Sequence, residues 1–331
     1  MSIEPRALLE ALANEPVLSG GVLAAQFGVT RAAIWKQIEN LREWGVPIEA
    51  RAGAGYSLSA PIDLLDENAI RAALPHATAS RLERIDVHWL VDSTNSTLLR
   101  DEHAGDRRIV ACLTEIQSAG RGRRGRSWLS PLGGGLAFSL RWQSESSMAA
   151  LAGLSLAIGV GVVRALHDVG FNDIGLKWPN DLQWRGKKLG GILVELGGDA
   201  LGPCHAVIGV GLNLRLDAHT ADGIDQPWVD LASVRDAALP DRNQLAAHML
   251  VRLIEVLDQF SLHGFAAFVD AFAQYDVLHG KPIRVIGGRG ERDGIAAGVD
   301  RQGALRLRTA EGERMIDSGE ISVRASPGGS A

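Results

Sequence analysis

The most chemically distinctive stretch of the chain runs from Gln117 to Trp128, where four arginines alternate with three glycines and no acidic residue occurs. Glycine permits close backbone approach, and guanidinium groups are planar donors suited to phosphate and carboxylate oxygens. Like charges this close disfavour one another unless an anion lies nearby. We name residues 117–128 the arginine loop and predict that it binds an anion. A solvated basic loop or a nucleic-acid patch is the alternative.

Two further polar blocks carry groups that could bind a ligand. Residues 92–96 read Asp-Ser-Thr-Asn-Ser, and residues 177–181 read Lys-Trp-Pro-Asn-Asp, followed at 186–195 by Gly-Lys-Lys-Leu-Gly-Gly-Ile-Leu-Val-Glu. The first block is also typical of a helix N-cap, and the second of an ion pair that stiffens a turn. The arginine loop is not a P-loop, because no Lys-Ser or Lys-Thr pair ends it. It is not a dinucleotide fingerprint either, because a strand-like segment follows it.

The order and spacing of the three blocks resemble those of the biotin–protein ligases. Residues 1–60 resemble the N-terminus of the bifunctional ligases that double as repressors of the biotin operon, so the resemblance covers nearly the whole chain. It implies that biotin and ATP give biotinyl-5′-AMP and pyrophosphate. The acyl group then passes to a lysine in the biotin carrier domain of acetyl-CoA carboxylase. The resemblance implies ATP with Mg²⁺ and biotin as substrates, and no tightly bound metal.

In the first step a biotin carboxylate must approach the α-phosphate of ATP, and cationic donors must hold both anions. The resemblance assigns this catalytic task to Arg121, Arg123 and Lys188, with Arg124 and Arg126 supporting the loop. Lys187 would point to the other face of a strand, and the family spacing favours Lys188. The implied biotin site comprises Ser93, Thr94, Asn95, Gln117, Arg121, Gly122, Arg123, Lys188 and Gly191, the first four hydrogen-bonding the ureido ring.

The resemblance also implies a nucleotide site made of Trp128, Lys177, Asp181, Asn213 and Trp228. Lys177 and Asp181 would contact phosphate and organise Mg²⁺. Trp128 would fold over the ligand, and Trp228 would stack on adenine. For both tryptophans, simple packing in a solvent-shielded position is the alternative.

The N-terminal region, residues 1–60, predicts a winged helix-turn-helix. Three short helices, with Ser19 and Thr30 as N-caps, precede a small hairpin around 53–55. The expected DNA-contacting residues are Thr30, Arg31, Trp35, Lys36 and Arg51. The region carries five basic and six acidic side chains, a net charge of −1. Non-specific phosphate binding should therefore be weak.

Residues 64–276 alternate strand-like and helix-like segments and predict an α/β ligase domain with a mixed sheet and helices on one face. Residues 277–325 show short strands separated by turns, which predicts a small all-β domain, an SH3-like β-barrel by resemblance. A linker is expected at Ala60-Pro61. The predicted fold class is therefore a multi-domain α+β protein.

The composition is that of an ordinary globular chain: 331 residues, 46% hydrophobic and 22% charged, with a net charge of −5. The net charge argues against coating nucleic acid by charge alone. Cys112 and Cys204 show no metal or disulfide spacing and suit the cytoplasm. Residues 146–163 are 18 uncharged positions, but their many small residues favour a helix buried against a sheet over a membrane span. No export signal is evident.

Our first interpretation is a ligase that also represses biotin-synthesis genes, with biotinyl-AMP as corepressor and a homodimer formed on adenylate binding. A monofunctional ligase with a silent winged helix is the nearest alternative, supported by the −1 charge. A lipoate-type ligase is disfavoured by the arginine loop and the 177–181 block. A biotin-sensing transcription factor without catalysis is disfavoured because Lys188 and the arginine loop are both present.

Overall fold

The computed structural model describes residues 3–51, 53–59, 62–101, 109–199, 201–216, 223–234, 239–287, 290–317 and 322–325. The linker expected at Ala60-Pro61 lies outside these residues. The N-terminal part consists of α1 (Pro5–Asn14), α2 (Gly20–Phe27), α3 (Arg31–Glu43), β1 (Ile48–Arg51) and β2 (Gly55–Leu58).

Local hydrogen bonds explain where the second and third helices begin. Ser19 Oγ accepts from the Val22 N–H, and Thr30 Oγ1 accepts from the Ala33 N–H, so each satisfies a donor that the helix itself leaves unpaired. Between the two helices Gly28 adopts φ 65°, a left-handed conformation that glycine tolerates best. The predicted winged helix-turn-helix and both N-caps are confirmed.

The central sheet has seven strands in the order β3-β4-β5-β9-β8-β7-β6. Their bounds are β3 (Leu82–Val91), β4 (Ile109–Gln117), β5 (Gly135–Ser144), β6 (Gly175–Lys177), β7 (Asp181–Trp184), β8 (Lys187–Gly198) and β9 (Cys204–Asn213). β3 and β4 are parallel, whereas the other neighbours are antiparallel. The predicted mixed sheet is confirmed.

Helices cover both faces of this sheet. They are α4 (Glu67–Ala73), α5 (His76–Ala79), α6 (Thr94–Leu99), α7 (Leu154–Asp168), α8 (Leu231–Val234), α9 (Arg242–His263) and α10 (Val269–Tyr275). Strand residues alternate between faces, and Ala111 of β4 joins the core beneath α7 and α9. Val110 and Cys112 join a separate cluster with Leu98 of α6. The expectation that helices lie on one face is therefore wrong for α6.

The segment Met148–Asp168 is long and apolar enough to cross a membrane by length and composition, yet 67% of its most apolar window is buried. Its helical part, α7, begins after Gly153, which adopts φ 78°, and packs on α9 and the sheet. The prediction of a helix buried against the sheet is confirmed.

The C-terminal part is a five-stranded antiparallel sheet in the order β13-β12-β11-β10-β14. The strands are β10 (Pro282–Gly287), β11 (Gly290–Val299), β12 (Leu305–Thr309), β13 (Gly312–Ile316) and β14 (Ser322–Ala325). The small all-β domain is thus confirmed. The buried indole of Trp178 donates to the Gly303 carbonyl at 3.0 Å, which attaches this domain to the central one. The boundaries at 60, 64 and 276 remain predictions.

The winged helix also contacts the central domain. The Leu132 N–H donates to the carbonyl of Trp44, just after α3, at 3.1 Å. The Trp44 and Trp89 rings meet edge to face with centroids 6.2 Å apart, a favoured aromatic geometry. Leu132 follows the arginine loop closely in sequence, so the end of α3 lies against the segment that the loop leads into.

Candidate active site

A cavity of about 350 Å³ opens on the α6 side of the sheet, between β4, β8 and β9. It brings together most of the residues predicted for the biotin and nucleotide sites. Those lining it are Ser93, Thr94, Asn95, Gln117, Arg121, Gly122, Arg123, Trp128, Asp181, Lys188, Gly191, Asn213 and Trp228. Lys177 lies outside this lining, on β6 opposite Asp181 in register. The three sequence blocks therefore converge on one site.

One end of the cavity is formed by the first turn of α6. Ser93 is the N-cap, as the structural alternative predicted, and its Oγ accepts from Ser96 N–H at 3.5 Å. The Thr94 N–H donates to Gln117 Oε1 at 3.0 Å. Ser93, Thr94 and Asn95 are each 3% exposed. Capping and lining the cavity are thus compatible roles for this turn.

Two residues to which the sequence analysis assigned no role complete this polar end. Ser139 Oγ donates to Asn95 Oδ1 at 2.6 Å, and Asn95 Nδ2 donates to Glu195 Oε2 at 2.8 Å. Each of these two residues is polar within a strongly apolar strand. A buried polar or charged group in such a strand normally has a partner, and that was the available signal.

The arginine loop folds as a compact turn over the cavity. The Gly122 N–H donates to the Arg126 carbonyl at 2.6 Å, and Arg124 adopts φ 60° at the tip. The Arg121 guanidinium makes a bidentate pair with Glu195, at 2.9 and 2.6 Å. Arg123 is half-buried, and this burial lowers its pKa despite the opposing effect of Asp181. A bound anion would relieve that unfavourable burial.

Lys188 and Gly191 face the cavity because β8 is irregular at this point. The β7–β8 register shifts between Leu182 and Gln183, so Gly190 pairs with Leu182 and Lys188 with Gln183. Such a bulge alters the alternation of faces, and Lys188 Nζ lies 2.7 Å from Asp181 Oδ1. Lys187 is exposed and does not line the cavity. The structure thus places Lys188, rather than Lys187, in the site.

Asp181 is shared among several cations. The alternative interpretation was an ion pair within the 177–181 turn, but Asp181 pairs with Lys188 of β8 instead. Burial lowers the pKa of Lys177, Asp181 partly opposes that effect, and Lys188 and Arg324 add to it. Arg324 belongs to β14, so the C-terminal domain contributes positive charge close to Lys177. The sequence analysis missed Arg324 because nothing local marks it.

The two predicted tryptophans border the cavity from different segments. The Trp128 ring lies against Gly211, where a side chain would collide with it, and Lys188 Nζ is 5.8 Å from its centroid. Trp228 is held beside β8 because Lys188 N–H donates to Pro227 O and Val229 N–H donates to Lys188 O, both at 2.9 Å. Asn213 Nδ2 donates to the Val229 carbonyl at 3.1 Å, so this side chain is engaged in holding the same segment.

The predicted DNA-contacting residues lie on the surface of the winged helix. Arg31, Lys36 and Arg51 are exposed, and Trp35 has 58% of its surface accessible. Thr30 is also exposed while capping α3. Among the described residues no group of three or more His, Cys, Asp or Glu side chains could hold a metal ion.

Comparison with known proteins agrees with this organisation. Residues 89–213 match the Biotin/lipoate A/B protein ligase family, residues 6–57 an HTH domain, and residues 278–324 the biotin protein ligase C-terminal domain. The bifunctional ligase/repressor BirA of Salmonella typhimurium is 39% identical over 97% of this chain and 98% of its own. That of Escherichia coli is 38% identical over 97% of each. The Aquifex aeolicus biotin protein ligase, solved with biotin and ATP, has a TM-score of 0.63 and is 28% identical. It covers 74% of this chain and 100% of its own.

The matched ligase domain, preceded by a helix-turn-helix and followed by the ligase C-terminal domain, defines the class as a biotin/lipoate-type protein ligase with an N-terminal DNA-binding module. At this identity and coverage the chain belongs to the family of bifunctional ligase/repressors.

Proposed function

We propose that the protein joins biotin to ATP, forming biotinyl-5′-AMP and pyrophosphate, and transfers the biotinyl group to a lysine of a carboxylase biotin carrier domain. The observation that carries this proposal is the polarity of the cavity. A buried hydrogen-bonding end at Asn95 and Gln117 suits a ureido ring. A cationic end at Arg123 and Lys188 suits a carboxylate meeting a phosphate.

In the first step a biotin carboxylate oxygen attacks the α-phosphorus, and the bond to the pyrophosphate oxygen breaks. Arg123 and Lys188 reduce the repulsion between the two anions and stabilise the charge that develops. In the second step the acceptor amine attacks the acyl carbon, AMP leaves, and the amine nitrogen loses a proton. The mixed anhydride is already activated, so no nucleophile from the enzyme is required.

Mg²⁺ would enter with ATP as part of the substrate. Asp181 lines the cavity, and its Oδ1 is paired with Lys188 Nζ at 2.7 Å. That contact fits a role in placing Lys188 at least as well as one in organising the metal. Lys177 lies one strand away and would act on the phosphates through its charge. That the protein has no tightly bound metal stays a prediction.

We further propose that the winged helix binds operator DNA upstream of biotin-synthesis genes when the adenylate is bound. The contacts from Trp44 to Leu132 and Trp89 give a physical route for this coupling, because Leu132 lies just beyond the arginine loop. If the adenylate orders the arginine loop, the resulting change in position of Leu132 would be transmitted to the end of α3.

A homodimer is the form that we propose for DNA binding. β7 pairs with β8 only up to Gly191, and within the described ranges no strand covers the outer edge of 193–198. An uncovered strand edge invites pairing with another chain, and Leu196 is 39% exposed there. The free, buried cysteines are in keeping with the proposed cytoplasmic location.

The ligase activity is tested with purified protein, ATP, Mg²⁺ and the host's own carrier domain. Biotin-dependent pyrophosphate release, followed by attachment of one biotin to the carrier, is expected. Lipoate in place of biotin is the control for the related ligase type. Pyrophosphate release with lipoate but not with biotin would overturn the biotin assignment.

The repressor activity is tested by fluorescence anisotropy on the DNA upstream of the host's biotin-synthesis genes. ATP and Mg²⁺ are present, with or without biotin. We expect tighter binding with biotin. A protein that biotinylates its carrier but binds this DNA in neither condition would be a monofunctional ligase, as the −1 charge of residues 1–60 favours.

A further inference from the structure

We propose that Glu195, which no part of the expected biotin site includes, is a positioning residue that sets the orientation of the Asn95 amide and thereby the selectivity for the ureido ring. This inference rests on the proposed function of the same cavity. The orientation decides whether the oxygen or the nitrogen of the Asn95 amide is available to the ligand. Glu195, a residue of β8, is thereby added to the determinants of biotin recognition.

The hydrogen bonds of Asn95 can be counted atom by atom. A side-chain amide has two N–H donors on nitrogen and two acceptor sites on oxygen. Nδ2 donates to Glu195 Oε2 at 2.8 Å and to the Leu193 carbonyl at 3.2 Å. Both N–H donors are therefore used within the protein. Oδ1 accepts from Ser139 Oγ at 2.6 Å, which leaves one acceptor site on that oxygen.

The reversed amide orientation is strongly disfavoured. It would place the amide oxygen against a carboxylate oxygen of Glu195 and a carbonyl oxygen of Leu193, neither of which has a hydrogen to donate. Asn95 is 3% exposed, so water cannot readily compensate, and an unpaired buried polar atom is costly. The ionised carboxylate of Glu195 is the stronger of the two constraints, because hydrogen bonds to a charged acceptor are stronger than neutral ones.

The fixed amide orientation determines which hydrogen-bonding group the ligand must supply. Asn95 presents a hydrogen-bond acceptor to the cavity and no free donor. It therefore selects a ligand N–H at this position. Its Oδ1 lies against Gly209, where any side chain would collide with it, so the amide is also enclosed by the wall of β9. A ureido ring, with two N–H groups and one carbonyl, supplies the matching donor.

The same carboxylate also holds the arginine loop. Its two oxygens accept from Arg121 at 2.9 and 2.6 Å while Oε2 accepts from Asn95. Arg121 neutralises a charge that would otherwise lie near two anionic substrates. Glu195 thus links the ureido end of the cavity to the base of the loop that covers it.

The test compares biotin with two cyclic carbamate analogues, in each of which one ureido N–H is replaced by a ring oxygen. The measured quantity is the ratio of kcat/KM for adenylation of biotin to that of each analogue. One analogue lacks the N–H that faces Asn95. In the parent, its ring oxygen would lie against Asn95 Oδ1, and because both atoms are acceptors this analogue should be strongly rejected. Effects that act equally on all three ligands, such as a loosened Arg121, cancel in this ratio.

In Glu195→Gln the neutral amide can donate to the Asn95 oxygen, so the reversed orientation becomes accessible. We expect discrimination against that analogue to fall by roughly tenfold or more. Glu195→Asp keeps the charge and should retain more of the discrimination than Glu195→Gln. Glu255→Gln is the matched control, since it removes a carboxylate paired with Arg252 on the surface and should leave the ratio unchanged.

Glu195→Ala removes the carboxylate that opposes the reversed amide and should lower the ratio in the same direction, so the proposal is tested even if one variant fails to fold. Unchanged discrimination in folded Glu195→Gln or Glu195→Ala, with a parent that adenylates biotin, would overturn the role of Glu195 and leave the proposed function standing. A parent that does not adenylate biotin would overturn both.

Discussion

Arg123 and Arg124 are neighbours in the arginine loop but have different surroundings. Arg123 is half-buried and lines the cavity, whereas Arg124 is exposed and does not. Arg124 also adopts φ 60°, a conformation that glycine tolerates better than arginine. Replacing each by glycine therefore removes the same charge from the same loop, with different consequences.

We expect Arg123→Gly to release biotinyl-AMP about tenfold faster or more, because a charge-assisted hydrogen bond to the intermediate is lost. Arg124→Gly should retain the intermediate as the parent does. Rates are measured by single-turnover formation of the adenylate followed by dilution into acceptor. Equal release from both variants would mean that loop flexibility, rather than the Arg123 side chain, controls retention.

The carboxylate of Asp92 stabilises the turn that carries the biotin-site residues. The Arg100 guanidinium pairs with it at 2.7 and 2.8 Å, and this contact lowers its pKa to about 2 from 3.8. The ion pair therefore contributes its full stabilisation above pH 3.8, the pKa of Asp92 in the unfolded chain. This contribution is lost as the pH falls from 3.8 to about 2, the pKa in the folded protein.

Asp92→Asn should lower the free energy of unfolding at pH 7 by only about 0.2–1 kcal/mol, because the pair is largely exposed. The difference from the parent should shrink as the pH falls through that window. Denaturant titrations of both proteins at pH 7 and at lower pH values test this. A difference that stayed constant with pH would exclude the ion pair as its origin.

At the scale of elements, strand β9 presents no side chain to the cavity at Gly209 and Gly211. A methyl group on Gly209 would collide with the Asn95 side chain, and one on Gly211 would collide with the Trp128 ring. The two glycines lie two residues apart on the same face of the strand. Each therefore gives room to a different part of the proposed ligand site.

We expect Gly211→Ala to displace Trp128 and raise the KM for ATP by roughly tenfold, with a smaller effect on the KM for biotin, because overpacking forces one neighbour aside. Gly209→Ala should show the opposite pattern, since it displaces Asn95. Steady-state kinetics with each substrate varied in turn separates the two. If both variants raised the same KM equally, the assignment of the two ends of the cavity would be wrong.

The elements also show what local sequence can and cannot predict. Periodicity and capping residues located the winged helix because Ser19 and Thr30 act through bonds only three residues away. The bulge in β8 was not predictable in this way, although it brings Lys188 and Gly191 to one face, because it depends on pairing with β7. Glu195 and Ser139 stand out as polar residues in apolar strands, but their partner could not be predicted because it lies far away along the chain.

At the scale of the whole molecule, the domains share apolar packing and are also linked by polar contacts that sequence patterns do not reveal. Arg242 pairs with Glu115 at 2.8 Å and donates to the Asp63 carbonyl at 2.6 Å. Both charged side chains are almost fully buried. The Leu65 N–H donates to the same Glu115 carboxylate at 2.5 Å. The chain that leaves the winged helix is thus tied to the strand that ends at Gln117, a residue of the candidate site.

The C-terminal domain is tied to the site by Trp178, whose indole N–H donates to Gly303 at 3.0 Å. Trp178 belongs to the 177–181 block, and the domain that it holds carries Arg324, which acts on the pKa of Lys177. Trp178→Phe keeps an aromatic ring in the core but removes the donor, weakening the attachment by about 1 kcal/mol. We expect the KM for ATP to rise several-fold while the KM for biotin changes little.

Trp184→Phe is the matched control, because its buried indole N–H has no hydrogen-bond partner among the described residues. The same chemical change there removes no bond between domains and should leave the KM for ATP close to that of the parent. The two variants are compared by adenylation kinetics under identical conditions. If Trp178→Phe behaved like Trp184→Phe, the hydrogen bond from Trp178 to the C-terminal domain would not influence the nucleotide site. Other contacts of the domain would then have to keep Arg324 close to Lys177.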